Sequence, residues 1–231
     1  SRIKQRDAEI ARLKEISRSK DDFIRITNHE LRTPLDIMRG NVDMVMKGDT
    51  GEIPKRTKEY LSDVLMGADR LTKIVNDMLD ISRIESGHMK FKLEVIDLIK
   101  VLETIREETL PISKEKGIEL YLECPPDLPK VFSDRSRIFQ VVDNFLGNSL
   151  KFTQRGGSIT IRAQTDNDTV IISVQDTGIG LRQEDLPKLF KRFPEIDNGL
   201  AEAKGTGLGL SLVAQLIEKL GGETWVESSG L

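Results

Sequence analysis

A single cysteine, Cys124, stands among 231 residues. That excludes a disulfide framework and any cysteine-rich metal site, and it fits a reducing compartment. Aromatic residues make up only 5% of the chain, which favours long solvated helices over an all-β body. No apolar run approaches the roughly 20 residues needed to cross a bilayer, and the first residues carry no apolar signal segment. The expectation is a soluble, cytoplasmic portion without a membrane segment, with anchoring of the parent protein left open. An excess of one charge is missing as well. With 35 basic and 38 acidic residues the net charge is −3, and no concentrated positive field exists to bind nucleic acid.

What is present is an aliphatic and charged chain, 38% hydrophobic and 32% charged, of a length that fits two domains. Through position 47 the apolar residues recur at helical spacing. Ile3, Ile10 and Ile24 share a heptad position, with Leu13 at the intervening core position and polar Ser17 and Lys20 interrupting the seam. Leu31, Leu35, Met38, Val42 and Val45 continue it in steps of four and three. So narrow a stripe predicts a coiled coil or helical hairpin, not the broad face of a globular helix. The glycines and proline of 47–54 predict a loop. A second helix over about 55–86 carries Leu61, Val64, Leu65, Ala68, Leu71, Val75, Met78, Leu79 and Ile81, with Gly87 as its stop. Two antiparallel helices with such seams cannot bury them alone, so a dimeric four-helix bundle is expected.

After Gly87 the texture changes. Met89, Phe91, Leu93 and Val95 alternate as a half-buried strand would, and Asp97 is placed to cap a helix ending at Gly117. A strand over 118–123, a proline-rich connection, and a helix capped by Asp134 and ending near Lys151 follow. Strands over 158–163 and 169–175 make a hairpin around Asp166, Asn167 and Asp168. A helix over 208–220 and a short strand over 224–227 complete the pattern. The order lacks regular βαβ alternation, which predicts an α+β fold with one sheet against helices.

Three constellations carry chemistry. At about 100° per residue, His29 points about 160° from the 31/35/38/42/45 seam, into solvent. Glu30 is adjacent, Thr33 lies one turn on, and Pro34 deletes a backbone donor beside them. An imidazole with an ordinary pKa near 6.5 is mostly neutral at pH 7, so one ring nitrogen can act as nucleophile while a carboxylate takes the proton of the other. The second constellation pairs Asp176, Gly178 and Gly180, directly after an apolar strand, with Gly205, Gly207, Leu208 and Gly209 opening a helix. Glycines admit close backbone approach and helix-start N–H groups favour phosphate. The spacing is neither a P-loop nor a Rossmann fingerprint. An aspartate at the end of a buried strand can accept a hydrogen bond from an exocyclic amine such as that of adenine. The segment 182–204, with Pro187, Pro194, Asn198 and Gly199, is long enough for a mobile lid. In the third constellation Asn144, Asn148 and Lys151 share one helix face. Asn is a poor helix former, its carbonyl suits Mg²⁺, and lysine offers a point charge to phosphate.

In this order the three sets resemble a sensor histidine kinase of two-component signalling, over about 20–229. The family's H box is matched by His29-Glu30-Leu31-Arg32-Thr33-Pro34-Leu35, and its N box by the run from Asn144 through Asn148 and Lys151 to Thr153. Asp176-Thr177-Gly178-Ile179-Gly180 is similar to the first glycine box. Leu189-Phe190 and Phe193 match the phenylalanine box, and the run from Gly205 to Leu210 the second glycine box. The resemblance implies three parts: a coiled-coil signalling linker over 1–19, a dimerisation and histidine-phosphotransfer hairpin over 20–87, and an ATP-binding α/β sandwich domain over 88–231. It implies ATP and Mg²⁺ as cofactors. His29 would be the phosphoacceptor, Glu30 its general base, and Thr33 the residue positioning water for dephosphorylation of a regulator. Asn148 would ligate Mg²⁺ with Asn144 nearby and Lys151 on phosphate. Asp176 would recognise adenine, and the backbone around Gly205, Gly207 and Gly209 would line the triphosphate. Implied partners are a second copy of the chain, a response-regulator receiver domain and an upstream sensor domain outside this sequence.

The chain departs from the pattern in three places. Asn28 stands where a serine commonly precedes the histidine, Asp36 where a small or hydroxyl residue is usual, and the domain's customary final strand is expected to be missing after Gly230-Leu231. Two rival readings are a gyrase- or chaperone-type ATPase and a non-catalytic pseudokinase scaffold. The first places a glutamate where Asn144 stands and leaves His29 without a role.

Overall fold

The computed structural model describes residues 2–194 and 206–230, in two compact units, 1–89 and 90–231. The side chains of Ile3, Ile10, Leu13, Ser17, Lys20 and Asn28 lie outside the described set, as do residues 195–205, with Asn198, Gly199 and Gly205.

The first unit is a helical hairpin. Helix α1 spans Arg2–Lys47 and runs through Pro34; α2 spans Lys55–Glu85. Between them the backbone turns with Gly48 and Gly51 at φ of 91° and 102°, a region that costs a glycine little. Leu35 and Val75 are buried on the seam. Arg32 Nη2 donates to Asn76 Oδ1, and Arg39 Nη1 lies 3.6 Å from Asp69 Oδ1. These exposed polar pairs fix register more than they add stability. Ile81 is buried as well, and Val42, Val45, Leu61, Leu65 and Leu79 are half-buried, but part of the predicted seam is not covered within one chain: Leu31, Met38, Val64, Leu71 and Met78 stay exposed, together with Met44 and Met66.

The second unit contains β1 (Glu94–Ile96), α3 (Leu98–Lys116), β2 (Glu119–Glu123), β3 (Val131–Ser133), α4 (Arg135–Phe152), β4 (Ser158–Asp166), β5 (Thr169–Asp176) and α5 (Gly209–Lys219), with a 3₁₀ turn at Leu186–Lys188. The α+β class holds, but the expected single sheet is two. A β1–β3 ribbon is antiparallel, and a three-stranded sheet has the order β2-β4-β5. β2 and β4 are parallel, so the chain must cross over between them, which β3 and α4 accomplish. β4 alternates half-buried and buried positions along its first six residues, and sends Ile159, Ile161 and Ala163 into a core shared with Leu102 and Ile105 of α3 and Val142 and Leu146 of α4. Asn167, at φ 51°, makes the two-residue turn between β4 and β5.

Two strand expectations need correction, and one strand, β3, was not foreseen. The alternating run from Met89 forms strand only at Glu94–Ile96. Upstream, the backbone donors are drawn away from any ladder: Met89 N–H closes on Arg83 O at the end of α2, and Lys92 N–H on Asp134 Oδ2. β3 follows Pro129 in three residues, too short to show a period. The expected strand over 224–227 is not formed. Just past it, Ser228 is tied to a loop, with Leu181 N–H donating to Ser228 Oγ and Gln183 Nε2 to Ser228 O.

Asp97 and Asp134 cap α3 and α4. Asp134 is buried and accepts from Ser136 N and Oγ, Arg137 N and Lys92 N. Burial pushes its carboxyl up, but the Ser136 hydroxyl and the three backbone donors outweigh that and hold it below the usual carboxylate range. Asp134→Ala should therefore cost this unit about 2 kcal/mol at pH 7. A depressed native pKa stabilises above the unfolded value of about 4, and that contribution fades as pH falls through the native value. Chemical denaturation at pH 7 and at successively lower pH should show the two proteins converging in acid; a gap independent of pH would refute the assignment.

Candidate functional site

His29 sits on α1 with its side chain 81% exposed, as the seam geometry predicts, and Glu30 beside it is 76% exposed. Nδ1 of His29 lies 3.5 Å from Glu30 Oε1. Thr33 Oγ1 donates to the His29 carbonyl at 3.3 Å, a back-bond along the helix. Pro34 has no N–H to offer the carbonyl of Glu30. The three residues singled out on the hairpin thus form one exposed cluster, with Nε2 of the ring on the side away from the carboxylate. Asp36 is exposed one further turn along.

In the second unit, Asp176 ends β5. That strand is half-exposed at the edge of its sheet, not buried as the sequence suggested. Its carboxylate is held on both oxygens: Gly178 N–H donates to Oδ1 at 2.9 Å, and Ser149 Oγ donates to Oδ2 at 2.8 Å. A Cβ on Gly178 would lie 2.6 Å from Asp176 Oδ1 and 2.7 Å from Phe152 O, so this position needs glycine for the backbone to close on the carboxylate. Gly180, at φ 72°, packs against the Gly230 carbonyl.

Asn144 and Asn148 do lie on one side of α4, yet their surroundings differ. Asn144 is only 6% exposed, and its Nδ2 donates to Gln140 O at 2.9 Å. Its Oδ1 faces Gly209, where a Cβ would stand 2.7 Å away. Glycine at 209 is what lets the first turn of α5 rest on Asn144. Asn148 is half-buried, and Lys151 places Nζ 4.7 Å from the centre of the Phe152 ring. Leu208, at the start of α5, is buried and gives no side-chain cap, while its own N–H donates to Thr206 Oγ1. Phe193 N–H donates to Gly207 O at 2.9 Å, joining the phenylalanine segment to the second glycine cluster. Asp176, Gly178, Ser149, Asn144 and Gly209 are therefore connected through α4. Gly205 lies outside the described residues. Sequence reasoning gave Ser149 no role; its signal was a hydroxyl residue on the stripe that carries Val142 and Leu146 into the core.

Residues 19–87 match the His Kinase A (phospho-acceptor) domain, and residues 133–230 match the histidine kinase-, DNA gyrase B- and HSP90-like ATPase family. The chain belongs to the sensor histidine kinases. The sensor protein GacS of Pseudomonas syringae is 37% identical over 222 residues, covering 93% of this chain and 24% of its own length. Among solved structures, full-length ShkA in complex with AMPPNP has a TM-score of 0.69 at 27% identity, covering 90% of this chain and 44% of that one. The complex of the histidine kinase ThkA with the response regulator TrrA has a TM-score of 0.62 at 24% identity, covering 98% of this chain and 63% of that one, and shows likeness of fold alone. The chain spans about a quarter to a third of the length of the curated relatives Drug sensory protein A of Synechocystis and GacS. Among the described residues, no helix of this histidine-kinase core is long and apolar enough to cross a membrane.

Proposed function

We propose that the chain is the ATP-dependent autokinase core of a two-component sensor, which phosphorylates its own His29 and passes the phosphoryl group to an aspartate of a receiver domain. The observation that carries this reading is the exposed His29–Glu30 pair on a hairpin matching the phospho-acceptor domain. With the proton on Nδ1, facing Glu30, the lone pair on Nε2 is free. Nε2 attacks the γ-phosphorus as the bond to the β–γ bridging oxygen breaks. Glu30 accepts the Nδ1 proton, and ADP leaves. Positioning and neutralisation of charge account for most of the catalysis in such transfers.

For the nucleotide, the residues fit. The uncapped first turn of α5 offers backbone donors for phosphate, and the Asp176 carboxylate retains acceptor capacity toward an exocyclic amine. Mg²⁺ usually takes one or two protein oxygens alongside the phosphates. Asn148 supplies a hard amide oxygen of that kind, and Lys151 a point charge. Among the described residues no cluster of three His, Cys, Asp or Glu could cage a metal, which fits an ion arriving with the nucleotide. The ion would neutralise phosphate charge. The uncovered stripe of Leu31, Met38, Val64, Leu71 and Met78 supports a homodimeric bundle. Phosphatase activity toward the regulator falls to Thr33, and a sensor domain is expected beyond this chain.

Incubation with Mg-ATP and a receiver domain should move the label from the chain to the receiver. Thr33→Ala should leave autophosphorylation within about twofold but slow dephosphorylation of the regulator about 100-fold, the scale of a misplaced reacting group. Equal loss of both activities would reject separate roles, and no transfer to any receiver would reject the signalling assignment.

A further inference from the structure

Buried hydroxyls in this fold generally turn back on their own helix. Thr109 donates to Ile105 O, Ser113 to Leu110 O and Ser211 to Leu208 O. Ser149 turns to another element, reaching Asp176 Oδ2 across to the end of β5. At 5% exposed it is shielded from water, whereas Asp176 is exposed. A carboxylate has about four acceptor sites. Here one on each oxygen is engaged from the protein side, by Ser149 and by Gly178 N–H. The backbone beneath is itself pinned, with Thr177 N–H on Ser158 O and Ile179 N–H on Phe152 O. Gly178 thus fixes Oδ1 but leaves the carboxylate free to rotate about that contact; only the second anchor sets where the open lone pairs point.

We infer that Ser149 is a positioning residue that orients the Asp176 carboxylate toward the exocyclic amine of a purine nucleotide, and so sets the preference for 6-amino purines. This rests on the reading of Asp176 as the group facing that amine. Ser149 touches no nucleotide in this scheme; it acts through Asp176. Its effect is therefore confined to ligands that carry the amine, a signature that a merely structural serine would not produce.

The test is a cycle over protein and ligand, with the intact chain and Mg²⁺, using calorimetric titration of ADP and of purine riboside 5′-diphosphate, which lacks the amine. Diphosphates avoid turnover during the measurement. Wild-type protein should prefer ADP. Ser149→Ala should weaken ADP about five- to tenfold, the scale of one hydrogen bond to a charged group, and change the amine-free analogue less than twofold. Alanine is a better helix former than serine, so thermal melting should show no loss of fold. Ser149→Cys, nearly isosteric and a weak donor, provides a second variant and should shift ADP alone in the same direction. Equal weakening of both ligands, or of neither, overturns the positioning role. Wild-type protein that binds the two ligands equally overturns the reading of Asp176 itself, a different failure from that of Ser149.

Discussion

Replacement of His29 by glutamine abolishes the acid-labile, alkali-stable label acquired from γ-labelled ATP and leaves nucleotide affinity unchanged. Both halves follow from placement. The ring stands on α1 in the unit 1–89, and Asp176, Asn148 and the start of α5 belong to the unit 90–231. Glutamine keeps a polar, helix-compatible side chain at an exposed position, so neither the hairpin nor the nucleotide unit has reason to change. What it removes is the nitrogen lone pair, without which no phosphoramidate can form. Labelling should fall by more than three orders of magnitude, to background. Residual label with the same acid lability would place the acceptor elsewhere, and a parallel loss of nucleotide binding would mean the substitution had damaged the fold.

Asp176→Asn should weaken ATP by about 100-fold, corresponding to about 2–3 kcal/mol for a lost hydrogen bond to a charged acceptor and the mispairing that replaces it. The asparagine amide can present its NH₂ to only one side. Toward the protein it either opposes the Gly178 N–H or makes the Ser149 hydroxyl turn from donor to acceptor. Toward the ligand it sets donor against donor. Titration with ATP at fixed Mg²⁺ measures the change, and the amine-free purine nucleotide should lose much less. An unchanged ATP affinity would remove Asp176 from the site.

Much of this architecture was legible in the residues. The narrow seam of Leu31, Leu35 and Val42 announced a hairpin because a helix buried on one stripe repeats every seven positions. Asp97, Asp134 and Gly117 marked helix ends because unsatisfied N–H and C=O groups need specific neighbours. His29 was predicted to face solvent from angle alone. The parts that escaped notice lack local period. β3 is three residues long, and the run from Met89 alternates like a strand while its donors are taken by Arg83 and Asp134. The bond from Ser149 to Asp176 joins residues 27 apart in sequence, and no spacing within α4 encodes a partner on β5. The close contact of Gly209 with Asn144 is tertiary for the same reason: a glycine cluster signals close approach without naming what approaches.

The most direct measurement is localisation of the phosphoryl group on the autophosphorylated chain, by fragment mass analysis at neutral to alkaline pH, where a phosphoramidate survives. Phosphate on the His29 imidazole, and only in the presence of ATP and Mg²⁺, is the predicted result. Phosphate on a serine, threonine or aspartate, or on no residue despite bound nucleotide, would contradict it.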